Sequence, residues 1–287
     1  MGVVVVGAGA IGMLTACLLV EAGDQATLLV RKPGQASKIN EEGILKDGIR
    51  HDIKAITDWN QIPAGDLIML AVKYDGIPEA LEQLSRLKQE NPVVFMQNGM
   101  MHLELARNLP QSSVAVCSVE HGSLKVGDTS IQHTGKGIFK CAVLKGEKSA
   151  FGSLNNEHGL VCEWHPDADA LLLRKVLLNS LINPLTALLD LKNGELLTNG
   201  HALKLLKELY SEMVRAFPEM EDFLSFKTVA DLCLLTAENQ SSMLSDKKAG
   251  RKMELDTIVL YTLKRASADM PVLRTLYHSL KAIEVSI

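Results

Sequence analysis

Residues 3–12 read Val-Val-Val-Val-Gly-Ala-Gly-Ala-Ile-Gly, and this short run constrains the fold more than any other. Four consecutive valines suit a strand buried on both faces of a parallel sheet. The glycines at 7, 9 and 12 follow it directly, and residues 11–22 then carry the apolar pattern of a helix. A G-x-G-x-x-G between a strand and a helix is the context that dinucleotide binding demands. Gly7 permits the tight turn, Gly9 lets the backbone approach a pyrophosphate, and Gly12 lets helix and strand pack closely. Free N–H groups at the helix start then face the phosphates. Gly7, Ala8, Gly9, Ala10, Ile11 and Gly12 are therefore the expected cradle; the competing reading is a tight turn with no ligand.

The end of the second strand, Ala26–Val30, selects the dinucleotide. A site for NAD usually places an acid there, about 20 residues on, against the ribose 2′-hydroxyl. This chain has Arg31-Lys32 instead. A guanidinium fork pairs with a 2′-phosphate and the lysine adds charge, so the expected cofactor is NADPH.

Strand candidates Asp66–Val72 and Pro92–Met96 flank a helical stretch, Ile77–Lys88. Such alternation implies right-handed crossovers and an α/β doubly wound parallel sheet. Residues 115–165 look like shorter strands and turns closing that domain. After His165-Pro166 the pattern turns helical, over 167–190, 200–216, 227–239 and 251–283. The expected domains are 1–165, binding the dinucleotide, and 166–287, all-α and binding the substrate. Lys73 and Asn98 each follow a strand at the carboxyl edge, where open α/β sheets bind ligands. Each taken alone is more often a solvated lysine or a turn asparagine; together at that edge they become candidate cofactor contacts.

Composition limits the remaining classes. The net charge of −4, from 30 basic and 34 acidic residues, argues against a nucleic-acid partner, which calls for a basic face. Five cysteines without a C-x-x-C pair read as free thiols in a reducing compartment. No metal site is expected, since His121, His133 and His165 lie scattered along the chain. Glycines interrupt the apolar start, no basic segment precedes it, and runs such as Leu67–Val72 stop far short of the ~20 residues of a membrane span. A cytoplasmic protein with no membrane partner is the expectation. The apolar stretches Ile258–Leu263 and Val272–Leu280 either close one core or pair two subunits as a homodimer.

The second half contains one unusual helix. Lys175, Asn179 and Asn183 recur at i, i+4 and i+8 amid Val176, Leu177, Leu178, Leu181 and Ile182. A helix would align the three polar groups on one face. They then meet water, one another, or a polar ligand. Pro184 should end or kink that helix. A polar cluster at Asn239–Ser242 precedes another helix, and Glu254 by itself reads as a solvated charge on the last one.

These residues together resemble the ketopantoate reductase (2-dehydropantoate 2-reductase) family over nearly the whole chain. The resemblance rests on Gly7–Gly12, Gln97-Asn98-Gly99-Met100, Glu120-His121-Gly122 with His133-Thr134-Gly135, Lys175-x3-Asn179-x3-Asn183-Pro184-Leu185-Thr186-Ala187, Asn193-Gly194-Glu195-Leu196, and Ser241-Ser242-Met243-Leu244-x-Asp246 followed by Glu254. It implies a Rossmann-type first domain and NADPH-dependent reduction of 2-dehydropantoate, a small 2-oxo acid, to (R)-pantoate, a step toward pantothenate and coenzyme A. By matching positions, Lys175 would donate the proton, and Asn179, Asn183, Asn193 and Ser242 would line the substrate pocket. Asn98 would lie between cofactor and substrate, Lys73 and Gly122 on the cofactor side. Glu254 would hold the substrate hydroxyl and touch the cofactor side. The chain departs from the family pattern at Tyr74-Asp75-Gly76, where relatives often carry Gln, and at Met101, often glycine. Two alternatives stay open: a reductase of another small 2-oxo acid, and a non-catalytic NADPH-binding regulatory protein.

Overall fold

The computed structural model describes residues 2–87, 90–154, 160 and 162–285. The end of the expected helix at Lys88, and residues 155–159 and 161 of the strand-and-turn region, lie outside the described residues. The chain forms two compact units, one of Met1–Gln97 with His102–Leu171, the other of Asn98–Met101 with Leu172–Ile287.

In the first unit β1 (Val3–Val6) leads through the glycine turn into α1 (Ala10–Glu21), then β2 (Ala26–Leu29) and α2 (Pro33–Glu42). Short strands β3 (Ile44–Lys46), β4 (Ile49–His51) and β5 (Lys54–Ile56) follow, then β6 (Leu67–Leu70), α3 (Ile77–Arg86), β7 (Val93–Phe95) and α4 (Leu103–Arg107). The unit continues with β8 (Val114–Val119), β9 (Gly122–Lys125), β10 (Ser130–Gly135), β11 (Phe139–Lys145) and β12 (Cys162–Trp164).

Among the described residues the main sheet has eight strands in the order β12-β11-β8-β7-β6-β1-β2-β5. From β8 to β5 the pairs are parallel, which bears out the doubly wound expectation. β1 sits between β2 and β6, so the strand order reverses beside the glycine turn, the place where open α/β sheets bind ligands. The four valines of β1 are almost fully buried, as a central parallel strand requires. β11 runs antiparallel to β8 and closes the sheet together with β12.

A second sheet, β4-β3-β10-β9, was not expected from sequence. Two of its strands, β3 and β4, have three residues each and carry too little alternation to be read, and β3 pairs with the distant β10. Glu21 Oε1 fastens this sheet to the end of α1, lying 2.6 Å from both His51 Nε2 and Lys46 Nζ.

The second unit takes most of its mass from helices: α5 (Ala168–Leu189), α6 (Glu195–Thr198), α7 (Gly200–Ala216), α8 (Met220–Phe223), α9 (Phe226–Leu235), α10 (Ser242–Lys248), a π-helical segment at Asp256–Leu260, α11 (Tyr261–Arg265) and α12 (Pro271–Val285). α5 runs through Pro184 to Leu189, so of the expected end or kink, the helix does not end there. A proline costs about 3 kcal/mol inside a helix. Burial of Leu181, Ile182 and Leu185, at about 1.5–3 kcal/mol each, outweighs that loss. The Thr186 hydroxyl also donates to the Ile182 and Asn183 carbonyls, both at 3.0 Å.

By length and composition alone α5 could cross a membrane, which the expectation from apolar runs had missed; 72% of its most apolar window is buried inside the protein. The expected long helix at 251–283 is broken in two. Pro271 opens α12 as its first residue, and a residue before proline avoids the helical region. Glu212, itself buried, accepts from the Val272 and Leu273 amides at 2.8 and 3.2 Å and so caps that helix.

Candidate active site

The turn after β1 needs its glycines for three different reasons. Gly7 has φ +103°, a conformation that L side chains rarely adopt. A Cβ at Gly12 would stand 1.9 Å from the Gly7 carbonyl oxygen, so the close packing of helix on turn tolerates no side chain. Gly9 is exposed and a Cβ there would meet nothing within 4 Å. The fold itself does not require glycine at position 9, but a ligand approaching the backbone would. Gly9 caps α1 with no side-chain hydrogen bond, and no acidic residue occupies the first turn. An anion therefore meets unopposed N–H groups and the positive end of the helix dipole. The residues fit a dinucleotide pyrophosphate. Ala8 is buried in the turn, while Ala10 and Ile11 begin α1.

Arg31 and Lys32 both lie exposed beyond β2, with Lys32 capping α2. Arg31 makes a loose, exposed ion pair with Glu79 at 3.8 Å, a contact worth little in water and readily exchanged for a phosphate. Lys73 is exposed just past β6. Gln97, quoted in the sequence motif without being given a role, braces this edge. Its buried amide donates to the Leu70 and Val72 carbonyls at 2.8 and 2.9 Å. Gly122 opens β9, where a Cβ would come within 2.8 Å of Thr134 Oγ1.

The histidines at 121 and 133 are not scattered, as the sequence suggested. His121 Nδ1 and His133 Nε2 are 3.0 Å apart, and the His121 ring also lies against Phe139. Burial, reinforced by the neighbouring His133, pushes His121 down to about 4. The register of the second sheet, invisible in sequence, produces this pair. Among the described residues no group of three His, Cys, Asp or Glu could hold a metal ion.

In the helical unit Lys175, Asn179 and Asn183 do lie on one helix, α5, with Lys175 and Asn179 half-buried and Asn183 buried. Asn98 belongs to this unit rather than to the sheet. Its amide donates to Glu254 Oε2 at 3.0 Å, so Glu254 is half-buried and partnered, not a solvated charge on a helix face. Gly99 makes the approach tight: its φ is +85°, and a Cβ would fall 2.4 Å from the Thr257 carbonyl oxygen. The π-helical segment starts two residues after Glu254, and such segments recur at functional sites. The helix that continues it, α11, reaches α5 through Ser180, whose hydroxyl is 2.8 Å from Thr262 Oγ1.

Asn193 donates its side-chain amide to Thr236 Oγ1 at 2.9 Å, while its backbone N–H donates to the Asn239 carbonyl. Its Oδ1 is buried with no hydrogen-bond partner among the described residues. Such an acceptor is costly unless something donates to it. Ser241 caps α10, and its hydroxyl lies 2.8 Å from Thr186 Oγ1. That bond ties the exposed Ser242 to the end of α5 that carries Asn183.

Two family descriptions match the chain: "Ketopantoate reductase PanE/ApbA" over residues 3–146 and "Ketopantoate reductase PanE/ApbA C terminal" over residues 167–284. A 2-dehydropantoate 2-reductase of Bacillus subtilis (strain 168) is 35% identical, the match covering 98% of this chain and 96% of that protein. The solved structure of a probable 2-dehydropantoate 2-reductase from Bacillus subtilis has a TM-score of 0.84 at 33% identity, covering 99% of this chain and 100% of that one. A D-mandelate dehydrogenase solved with NADH and anilino(oxo)acetate has a TM-score of 0.85 at 20% identity, covering 100% of this chain and 99% of that one. The last likeness concerns the fold alone.

Proposed function

The chain belongs to the ketopantoate reductase family, and from that premise we propose that it reduces 2-dehydropantoate to (R)-pantoate with NADPH in the cytoplasm. Residues 1–165 hold the cofactor and residues 166–287 the substrate. The observation that carries this reading is the row Lys175, Asn179 and Asn183 along one buried helix of a family member.

Gly7–Gly12 seat the pyrophosphate, Arg31 and Lys32 the 2′-phosphate, and Lys73, Asn98 and Gly122 the rest of the dinucleotide. When bound, the nicotinamide supplies a hydride to the C2 ketone. Negative charge then grows on the ketone oxygen, where the Lys175 ammonium stabilises it and delivers the proton. Asn179, Asn183 and Ser242 give oriented, uncharged donors to the substrate carboxylate and carbonyl. Asn193, whose side-chain amide is held by Thr236 Oγ1, lines the substrate pocket beside them. Glu254, aimed by Asn98, accepts from the substrate hydroxyl. A site built to bond a hydroxyl discriminates strongly against an analogue that lacks one. The exposed Leu234 and Leu235 support a homodimer, which light scattering tests.

NADPH absorbance followed with ketopantoate, with NADH and 2-oxoisovalerate run in parallel, tests the reading. Rapid turnover of the NADPH–ketopantoate pair alone is expected. Equal turnover of 2-oxoisovalerate would remove the role given to Glu254 and leave a broader 2-oxo acid reductase. Tight NADPH binding with no turnover of either acid would remove the role given to Lys175.

A further inference from the structure

The carbonyls of the glycine turn are held by side chains from outside the motif. Ala8 O accepts from Lys125 Nζ at 3.2 Å and from Gln35 Nε2 at 3.4 Å. Ala10 O accepts from Ser123 Oγ at 3.1 Å. Ser123 and Lys125 are two residues apart on β9, so the strand period puts both on the face toward the turn, and Leu124 between them is exposed. The β9–β10 hairpin is fastened at its tip as well. Gln35 Nε2 donates to the Asp128 carbonyl at 2.9 Å, and Lys38 pairs with the Asp128 carboxylate at 3.5 Å. These contacts tie the hairpin to α2, the helix that Lys32 caps.

A turn that binds an anion through its N–H groups must keep its carbonyls directed elsewhere. Lys125 meets that need with a cation. Its ammonium fixes the Ala8 carbonyl and places a full positive charge beside a helix start that carries no acid in its first turn. We propose that Lys125 is a further cofactor-binding residue, which charges the pyrophosphate cradle and orients its backbone, with Ser123 positioning Ala10 beside it. The proposal rests on the reading of the chain as an NADPH-dependent reductase.

The test is a fluorescence titration of NADPH without substrate, repeated with adenosine 2′-monophosphate, which lacks the pyrophosphate, as a competing ligand. Lys125→Met should weaken NADPH about tenfold, the scale of one charge-assisted contact, and leave adenosine 2′-monophosphate within about twofold. Lys125→Arg should recover most of the loss, and added salt should narrow the gap between wild type and Lys125→Met. Lys145→Met is the control, since Lys145 Nζ bonds the Leu109 carbonyl at 2.6 Å away from the turn. It should change the melting temperature without changing NADPH affinity.

Unchanged NADPH affinity in Lys125→Met, or an equal loss for both ligands, overturns the proposal and leaves the assigned activity standing. A matching loss of NADPH affinity in Lys145→Met also overturns it, because the effect would then be one of general stability. A wild-type chain that binds no dinucleotide overturns both readings together.

Discussion

On the proposed reading, the glycine turn and the polar row on α5 solve the same problem, presenting polar groups to a small molecule, by opposite means. The turn works with backbone, and its side chains are kept out. Gly12 has no room for a Cβ and Gly7 has a left-handed φ. The helical unit works with side chains, and each of them depends on packing elsewhere. Asn98 reaches Glu254 because Gly99 lies against Thr257; Ser242 is placed by the bond between Ser241 and Thr186. A backbone site is therefore broken by adding atoms, and a side-chain site by removing them.

The largest effect should come from the side-chain region. Lys175→Ala is expected to lower kcat about 10²–10⁴-fold, the usual span of general acid catalysis, while NADPH affinity stays near wild type by fluorescence titration. A parallel loss of NADPH binding would mean that the two regions are not separable.

Next come two alanines inserted in the turn. Gly12→Ala drives a Cβ into the Gly7 carbonyl and should cost about 1–3 kcal/mol or more of stability, as overpacking does, read as a lower melting temperature. Gly9→Ala meets no protein atom within 4 Å, so its melting temperature should hold while the KM for NADPH rises about tenfold or more. If Gly9→Ala destabilised the protein and left the KM unchanged, position 9 would be a folding glycine and not a ligand-facing one.

Arg31→Ala sharpens the cofactor side. Loss of a charge-assisted contact to a 2′-phosphate should lower the NADPH-over-NADH preference about 10–100-fold, with kcat/KM for NADH almost unmoved. An unchanged preference would shift the discrimination to Lys32.

The smallest effect concerns acid stability. His102 is fully buried against Phe95, and neither ring nitrogen has a hydrogen-bond partner among the described residues. Burial pushes it from 6.5 down to about 4. Between those values the unfolded chain takes up a proton that the folded one refuses. The His102 contribution is thus fully present above about pH 6.5 and is lost as the pH falls toward 4. His102→Phe should flatten the fall in melting temperature between pH 7 and pH 5 by a few degrees. A steeper fall in the variant would contradict the assignment.

The same contrast decided what could be read in the chain. Val3–Gly12 was legible because local sterics alone dictate where those glycines stand. The i, i+4 row on α5 was legible because helical spacing is local too. Pro184 left open whether the helix ends there, since the burial that carries the helix through it is a tertiary effect. The His121–His133 pair, the Asn98–Glu254 bond and the Lys125–Ala8 contact join positions distant in sequence, and strand register or unit packing makes them. No residue pattern announces those in advance. The second sheet escaped for a related reason: three-residue strands such as β3 and β4 are too short to show a period.

The membership of Asn98–Met101 in the helical unit has a practical outcome. The chain passes between the units after Gln97, after Met101 and again after Leu171. A gene cut at the last crossing would express a helical fragment without the Gly99 backbone that fills the space beside Thr257, and with Glu254 lacking its amide partner. Such a fragment should come out of the ribosome sticky and poorly ordered, and a synthetic peptide spanning 98–101 is too short to restore it. Swapping helical units among relatives should therefore succeed only when this four-residue loop travels with them.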